Sequence, residues 1–409
     1  MHAPCRACGS ATADLLDLGL QPIVNELQAT PDAAVSVYSM LVGGCLGCGL
    51  VQMLTPVPPE VFYTDYATPS SWKREPHLER LVAVLEGALS QQATVIDVGC
   101  NDGKFLIVLR ERGWHNLAGV EPTENTARMA RAHGLDVRHA YLDPAVAESL
   151  VAERGQWDCV ILRQVLEHVC DLEPFGASLN RLLKVGGLIA IEVPDLRVNV
   201  DHSDYTLWEE HVNYFSEQTL TRYLCRHGFR VRTAYRSLFS GITLTVVAEK
   251  VTGGDGAPSR TSESAVTHEE IAAYQRWAAE FPQFRSRVRN VVAAHADSGA
   301  VALFGVGSRS SLFCNLMGIA DLVSVAFDDQ PAKQGVYLPR SGIPVRPGKE
   351  LPDQALPSLV LLGVNAENED AVLAAHPALN ITATYSILPP SPRLLPAWPE
   401  PPAFPAGGC

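Results

Sequence analysis

Two copies of one short pattern set the first constraint on this chain: Cys5-Arg6-Ala7-Cys8-Gly9 and Cys45-Leu46-Gly47-Cys48-Gly49. A two-residue gap lets a pair of thiolates converge on one ion. The glycine that follows lets the backbone turn back so that amide N–H groups point at sulfur. Two such pairs complete a tetrahedral four-thiolate shell with no open position, which suits a structural Zn2+ held by Cys5, Cys8, Cys45 and Cys48. Four buried thiols or a redox pair are the alternatives, and repetition of the whole pattern favours the metal. Residues 1–75 could hardly hold a core alone, so the ion belongs to the fold of this module. The other six cysteines read as small buried hydrophobes, apart from Cys409 at the tail. Unpaired cysteines and the lack of a basic-then-apolar leader after Met1 point to a cytoplasmic protein.

Beyond the knuckles, short apolar runs alternate with helical patterns. The 409 residues leave room for two or three domains at about 150 residues each. Residues 93–98 and 117–121 read as buried strands, 123–133 as a helix, and 158–162 as another strand. A further helix runs to Leu183, and Gly186-Gly187 turns the chain into a strand over 188–193. That alternation predicts an α/β class fold with a doubly wound sheet over residues 76–250. Residues 251–267 form a polar, Gly-rich linker. A helix over 268–296 then leads into a second αβ unit that opens at 300–304, so 268–409 reads as a C-terminal αβ domain. The proline-rich stretch after Leu388 should be irregular. No tandem repeat is visible, and the two αβ units resemble each other only in kind.

Charge narrows the partners. Thirty-two Lys+Arg against 45 Asp+Glu leave a net −13, which opposes non-specific contact with nucleic acid. No apolar run approaches the length of a membrane helix. The expected partner is a small molecule.

The strand over 93–98 ends in Asp97-Val98-Gly99-Cys100-Asn101-Asp102-Gly103, and a helix continues from Lys104. Glycines at such a turn let the backbone pass close to a ligand. The loop has neither the Gly-x-Gly-x-x-Gly spacing of a dinucleotide site nor the Lys-Ser/Thr of a phosphate loop. Glu121 ends the next strand, where a carboxylate can accept from both hydroxyls of a ribose. With Arg163-Gln164-Val165-Leu166-Glu167-His168 after the fourth strand, residues 85–250 resemble the class I (Rossmann-like) methyltransferases. The resemblance implies that S-adenosylmethionine (SAM) binds here. Asp97, Gly99, Asn101, Asp102 and Gly103 would then shape the methionine pocket, Glu121 would hold the ribose, and Arg163 and Gln164 would line the adenosine and donor methyl.

The whole chain is similar to the bacterial sugar C-methyltransferases that act on nucleotide-linked 4-keto-deoxysugars. Four parts carry the resemblance: the four-cysteine module with Leu18-Gly19-Leu20-Gln21-Pro22-Ile23-Val24-Asn25, the SAM domain, Trp208-Glu209-Glu210-His211-Val212-Asn213-Tyr214-Phe215, and the C-terminal domain. The last contains Phe304-Gly305-Val306-Gly307-Ser308-Arg309 and Asp328-Asp329-Gln330-Pro331-Ala332-Lys333. A C–H beside a ketone is acidic enough for a positioned base to remove, and a histidine oriented by a carboxylate suits that task. The resemblance implies His211 as base, Glu210 as its partner and Tyr66 as a further catalytic group. It also implies acceptor contacts from Thr68, Ser70, Ser71, Trp208, Asn213 and Tyr214.

Gly305 and Gly307, at a helix N-terminus with Arg309 and Lys333 nearby, read as a cradle for the diphosphate of the sugar nucleotide; the bland alternative is a tight βα turn. The chain departs from the family at Thr68 and Trp208, where tyrosines are usual. Gly241-Ile242-Thr243-Leu244-Thr245 lacks the family's arginine, and Val364-Asn365-Ala366 replaces Trp-Asn-Phe. Transfer to oxygen or nitrogen of another natural-product acceptor is the alternative that these changes favour.

Overall fold

The computed structural model describes residues 3–62, 75–252, 260–353 and 356–399. Tyr66, Thr68, Ser70, Ser71 and Cys409 lie outside the described residues. In chain order the strands are β1 (Thr12–Pro22), β2 (Val37–Cys45), β3 (Val51–Met53), β4 (Val95–Val98), β5 (Leu117–Glu121), β6 (Val137–His139), β7 (Trp157–Arg163) and β8 (Leu183–Pro194). They continue as β9 (Asn213–Tyr214), β10 (Phe229–Leu238), β11 (Ile242–Lys250), β12 (Val301–Phe304), β13 (Val323–Asp328), β14 (Val345–Pro347), β15 (Leu359–Leu362) and β16 (Thr384–Ser386).

The central sheet runs β10-β11-β8-β7-β4-β5-β6. The five strands from β6 to β8 are parallel, and β11 joins β8 antiparallel. Numbered within this domain, that is the order 3-2-1-4-5-7-6. β4 is buried along its length, as its Val-Ile-Asp-Val sequence requires of a strand covered on both faces. Strand order reverses between β4 and β7, and ligands of open α/β sheets bind in the crevice at the carboxyl ends of such a pair.

The cysteine module contributes an antiparallel sheet, β1-β2-β3-β9. Its last strand is borrowed: β9 lies far along the chain, two residues after His211, and pairs through Val51 with Tyr214 and Gln52 with Asn213. The C-terminal sheet, β14-β13-β12-β15-β16, is wholly parallel. Its order within the domain is 3-2-1-4-5.

A helix over Arg260–Ala296 ties the three parts together. It starts at Arg260, inside the stretch expected to be linker. Tyr205 stacks on Trp277 at 5.0 Å and donates its hydroxyl to the Trp277 carbonyl, while Glu270 receives Arg222 at 2.7 Å. One apolar core therefore runs from the cysteine module through this helix into the C-terminal sheet. The proline-rich stretch is irregular but not loose: Leu395 and Ala397 are buried, and Trp398 packs on Phe284 and Phe313. No helix among the described residues is long and apolar enough to cross a membrane.

Candidate active site

A cleft of 3250 Å³ runs from the loop after β4, past His211, to the loop after β12. At its donor end, Gly99 and Gly103 adopt left-handed backbone with φ of 74° and 80°. A side chain at Gly99 would meet Val165 Cγ2 at 2.4 Å, so only glycine lets the loop lie this close to the segment after β7. Asn101 is also left-handed, and its side chain receives the Asp102 amide at 2.7 Å. Asp102 in turn accepts the Lys104 amide, starting the next helix. Glu121 holds the loop from the neighbouring strand, one oxygen taking the Asn101 N–H and the other the Thr123 N–H, each at 2.8 Å. Asp97 is buried, its Oδ1 lacks a partner among the described residues, and burial pushes its carboxyl up to about 7 against the pull of Arg163.

Arg163 is a hub. It pairs with Glu75 at 2.6 Å, lies 3.5 Å from Glu192 and covers the Phe105 ring. Gln164, left-handed at φ 54°, donates its amide N–H to the Glu192 carbonyl. Glu75 and Glu192, which sequence reasoning missed, thus organise both residues.

His211 lies at the middle of the cleft with its backbone N–H on the Trp208 carbonyl. Its ring is 4.8 Å from that of His168 and 4.9 Å from that of Trp208. Burial, with the Arg309 guanidinium adding positive charge nearby, holds its pKa well below the usual histidine value, so it is neutral at neutral pH. His168 Nδ1 lies 3.0 Å from the Glu210 carbonyl. A carbonyl only accepts, so Nδ1 carries the hydrogen and Nε2 remains an acceptor. Glu167 is buried beside both rings, neither oxygen having a hydrogen-bond partner among the described residues, and burial raises its carboxyl to about 8. Ligand atoms of Glu167, His168 and His211 lie within 4.8 Å of one another.

The Glu209-Glu210 pair is docked by the segment at Asn25. Val24 donates its N–H to Glu209 at 2.8 Å, and Asn25 Nδ2 donates to Glu210 Oε1 at 3.1 Å. Asn25 Oδ1 accepts from Ser308 of the C-terminal domain at 2.6 Å. Three parts of the chain thereby meet at Asn25, which holds the carboxylate next to His211. Trp208 and Tyr214 line the same cleft, the Tyr214 hydroxyl donating to the Trp208 carbonyl. Asn213 does not: it is fully buried, and its amide holds the carbonyls of Leu166 and Val169.

At the far end, Gly305 is left-handed and its N–H goes to the Phe327 carbonyl. The Val306 N–H goes to Asp328 and the Gly307 N–H to Ser310. Lys333 donates to the Val306 carbonyl. Arg309 spends its donors on Asp204, Thr206 and the carbonyls of Ser240 and Pro389, so it clamps the two domains together rather than offering a free fork to a phosphate.

The four cysteines converge as their spacing requires. Cys5 and Cys48 sulfurs are 3.6 Å apart and Cys8 and Cys45 sulfurs 3.5 Å, close to the roughly 3.8 Å edge of a tetrahedron with Zn–S bonds of about 2.3 Å. The amides of Gly47 and Cys48 point at Cys45 sulfur, each at 3.3 Å. This donor set fits Zn2+. Arg6, inside the first knuckle, donates to the carbonyls of Val212 and Met53.

Three family descriptions match in order: "Putative zinc binding domain" over residues 5–63, "Methyltransferase domain" over 72–234 and "C-methyltransferase C-terminal domain" over 244–380. The C-methyltransferase NovU of Streptomyces niveus is 26% identical over 356 residues, covering 83% of this chain and 84% of its own. This chain is a SAM-dependent methyltransferase. Its domains are those of a C-methyltransferase, with SAM as donor and Zn2+ as structural ion. The ubiquinone biosynthesis O-methyltransferase of Bordetella avium shares 33% identity with the methyltransferase over 107 residues, 26% of this chain and 44% of its own. A solved SAM-dependent methyltransferase from Archaeoglobus fulgidus matches 46% of the chain and 100% of its own at 16% identity and TM-score 0.37. The loop after β4 fits SAM: glycines allow close approach, and the buried Asp97 Oδ1 has no hydrogen-bond partner among the described residues.

Proposed function

We propose that the methyltransferase places the methyl on a carbon adjacent to a ketone in a nucleotide-linked deoxysugar, with His211 as general base. The observation that carries this reading is a neutral, half-buried histidine between the donor loop and the C-terminal domain, its neighbouring carboxylate held by Asn25. Bound SAM supplies an electrophilic methyl group. His211 takes the proton from the carbon beside the ketone, and the electron pair left behind forms an enolate. SAM held by Asp97, Glu121, Gly99 and Gly103 would supply the methyl that this carbon takes in place of the proton, with S-adenosylhomocysteine as co-product, and the imidazolium returns its proton to water.

Asp97 and Glu121 bind the donor, with Gly99 and Gly103 allowing its approach. Arg163 and Gln164 shape the wall beside it, and Trp208 and Tyr214 face the acceptor. Asn25 and Ser308 keep Glu210 in place, and Glu210 orients the His211 segment. From the family resemblance alone, Tyr66 is assigned a catalytic role and Thr68, Ser70 and Ser71 acceptor contacts. The test is His211→Ala: SAM binding by titration should persist while turnover falls by about 10²- to 10⁴-fold. Turnover like the wild type would remove His211 from this role.

A second reading rests on Glu167, His168 and His211 as donors for a divalent cation. The cation would hold a hydroxyl of a different acceptor for O-methyl transfer. Product methyl on oxygen, and activity that requires added Mn2+ or Fe2+ while zinc stays bound, would favour it.

A further inference from the structure

Behind the proposed base lies a buried carboxyl, Glu167. It is 1% exposed, and neither side-chain oxygen has a hydrogen-bond partner among the described residues. A carboxyl closed off in that way costs stability unless a neighbour completes it. Two rings are in reach: Glu167, His168 and His211 bring one ligand atom each to within 4.8 Å of one another. One water spans such a gap, since two atoms each at hydrogen-bond distance from it lie roughly 4.6 Å apart. Both rings line the cleft and Glu167 is not on its wall, so the carboxyl acts on an acceptor only through them.

The backbone holds this arrangement together. Glu167 sits in the short turn Leu166–His168, and its main-chain carbonyl takes the N–H of Val212, the residue after His211, at 2.8 Å. The His168 ring stands at 83° to that of His211.

Hydrogen-bonding capacity then gives the cluster a direction. His168 spends its Nδ1 hydrogen on the Glu210 carbonyl, so its Nε2 only accepts. With no hydrogen-bond partner among the described residues, a carboxyl so buried keeps its proton. A protonated carboxyl offers one O–H donor and one carbonyl acceptor. The donor suits His168 Nε2, and the acceptor suits an N–H of His211. We infer that Glu167 is a positioning residue for His211: its carboxyl, donor to His168 and acceptor from His211, fixes the His211 tautomer. The ring hydrogen then faces Glu167 and the other nitrogen is bare, as a base that removes a carbon-bound proton must be. The opposite tautomer presents an N–H to the acceptor and takes no proton from it. The inference rests on the reading of His211 as base and deepens it. Glu210, whose carboxylate Asn25 holds, orients the segment, and Glu167 sets the ring.

The test is nitrogen NMR of the full chain with zinc bound, its histidines isotope-labelled and its donor site saturated with S-adenosylhomocysteine. His211→Ala identifies the signals. In the wild type, the His211 ring should carry one hydrogen that exchanges slowly with solvent. Glu167→Leu should lose that signal, and Glu167→Gln, whose amide keeps a donor and an acceptor, should retain it. Deuterium uptake by whichever nucleotide-linked 4-keto-6-deoxyhexose the wild type exchanges should fall about 10²-fold or more in Glu167→Leu. Glu167→Gln should keep most of the rate, with S-adenosylhomocysteine affinity and zinc content unchanged in both variants.

A His211 N–H that exchanges as fast as that of an exposed ring would overturn the inference, even if Glu167→Leu fails to fold. Wild-type deuterium uptake in Glu167→Leu, or a Glu167→Gln as slow as Glu167→Leu, would also overturn it. So would a second divalent ion per chain, since a cation needs the ionised carboxyl. A structural role lowers the melting temperature without moving the His211 signal. Uptake that survives His211→Ala, or no uptake with any sugar, would count against the base reading, and the NMR signal alone would then decide the hydrogen bond.

Discussion

The guanidinium of Arg6, on the first cysteine knuckle, donates at 3.1 Å to the carbonyl of Val212, the residue that follows His211. The same carbonyl accepts the Met53 N–H at 3.0 Å, and Arg6 also holds the Met53 carbonyl at 2.8 Å. Because β9 then continues as the edge of the cysteine module's sheet, the segment carrying the proposed base is built onto the metal module. The four-cysteine site is thus one strand and one arginine away from the proposed base.

Arg6→Ala should therefore reduce kcat by roughly 10- to 100-fold, the scale expected when a catalytic group shifts by about 1 Å. SAM affinity and zinc content should stay unchanged, and Arg6→Lys should restore part of the rate. Steady-state kinetics on the folded fraction, with metal analysis, checks this. A merely stabilising Arg6 would lower the melting temperature and leave kcat intact.

Removing a metal ligand should act more broadly. Cys5→Ser leaves three thiolates for an ion whose structural shell needs four. Zinc content should fall below one ion per chain, solubility should drop, and turnover should fall with them. Unchanged zinc stoichiometry would count against the four-cysteine site.

The pH dependence has a defined sign. The folded protein holds His211 below its ordinary pKa, so the neutral base persists to acid pH and is lost only as pH falls through the lowered value. The acid limb of kcat/KM should lie well below pH 6.5. The unfolded chain accepts the proton near pH 6.5, so this residue also makes stability decline as pH drops below that point. An acid limb at or above 6.5 would assign it to another group.

Asp97 gives a separate signature. Burial raises its carboxyl to about 7, so much of the free protein carries a proton there at pH 6.5. A cationic amino group on the bound donor product favours the ionised form. Binding of S-adenosylhomocysteine at pH 6.5 should release a proton, visible as a heat that varies with the ionisation enthalpy of the buffer. Asp97→Asn should abolish the variation.

The fold was largely legible because its signals are local. Cys-x-x-Cys-Gly knuckles converge wherever they occur in pairs, and β4 declares itself by four buried residues in a row. What stayed hidden depends on distant pairing. β9 is two residues long and has no periodicity to read; only its partner β3 makes it a strand. Asn25 stood in a recognisable stretch, yet nothing local says that it meets Glu210 and Ser308. Arg309 carried the right charge beside a glycine loop, but Asp204 across the domain boundary claims it. The helix at Arg260 overrode a polar stretch that reads as linker.

The most direct test of the central claim is hydrogen exchange at the acceptor carbon. The zinc-loaded enzyme, saturated with S-adenosylhomocysteine so that no methyl can transfer, is incubated in heavy water with a panel of nucleotide-linked 4-keto-6-deoxyhexoses, and the recovered sugar is examined by NMR. The account predicts deuterium at one carbon beside the ketone with the wild type, and none above background with His211→Ala. It also predicts a carbon-bound methyl at that position once SAM replaces the product. Methylation without exchange, or exchange that survives His211→Ala at the wild-type rate, would contradict it.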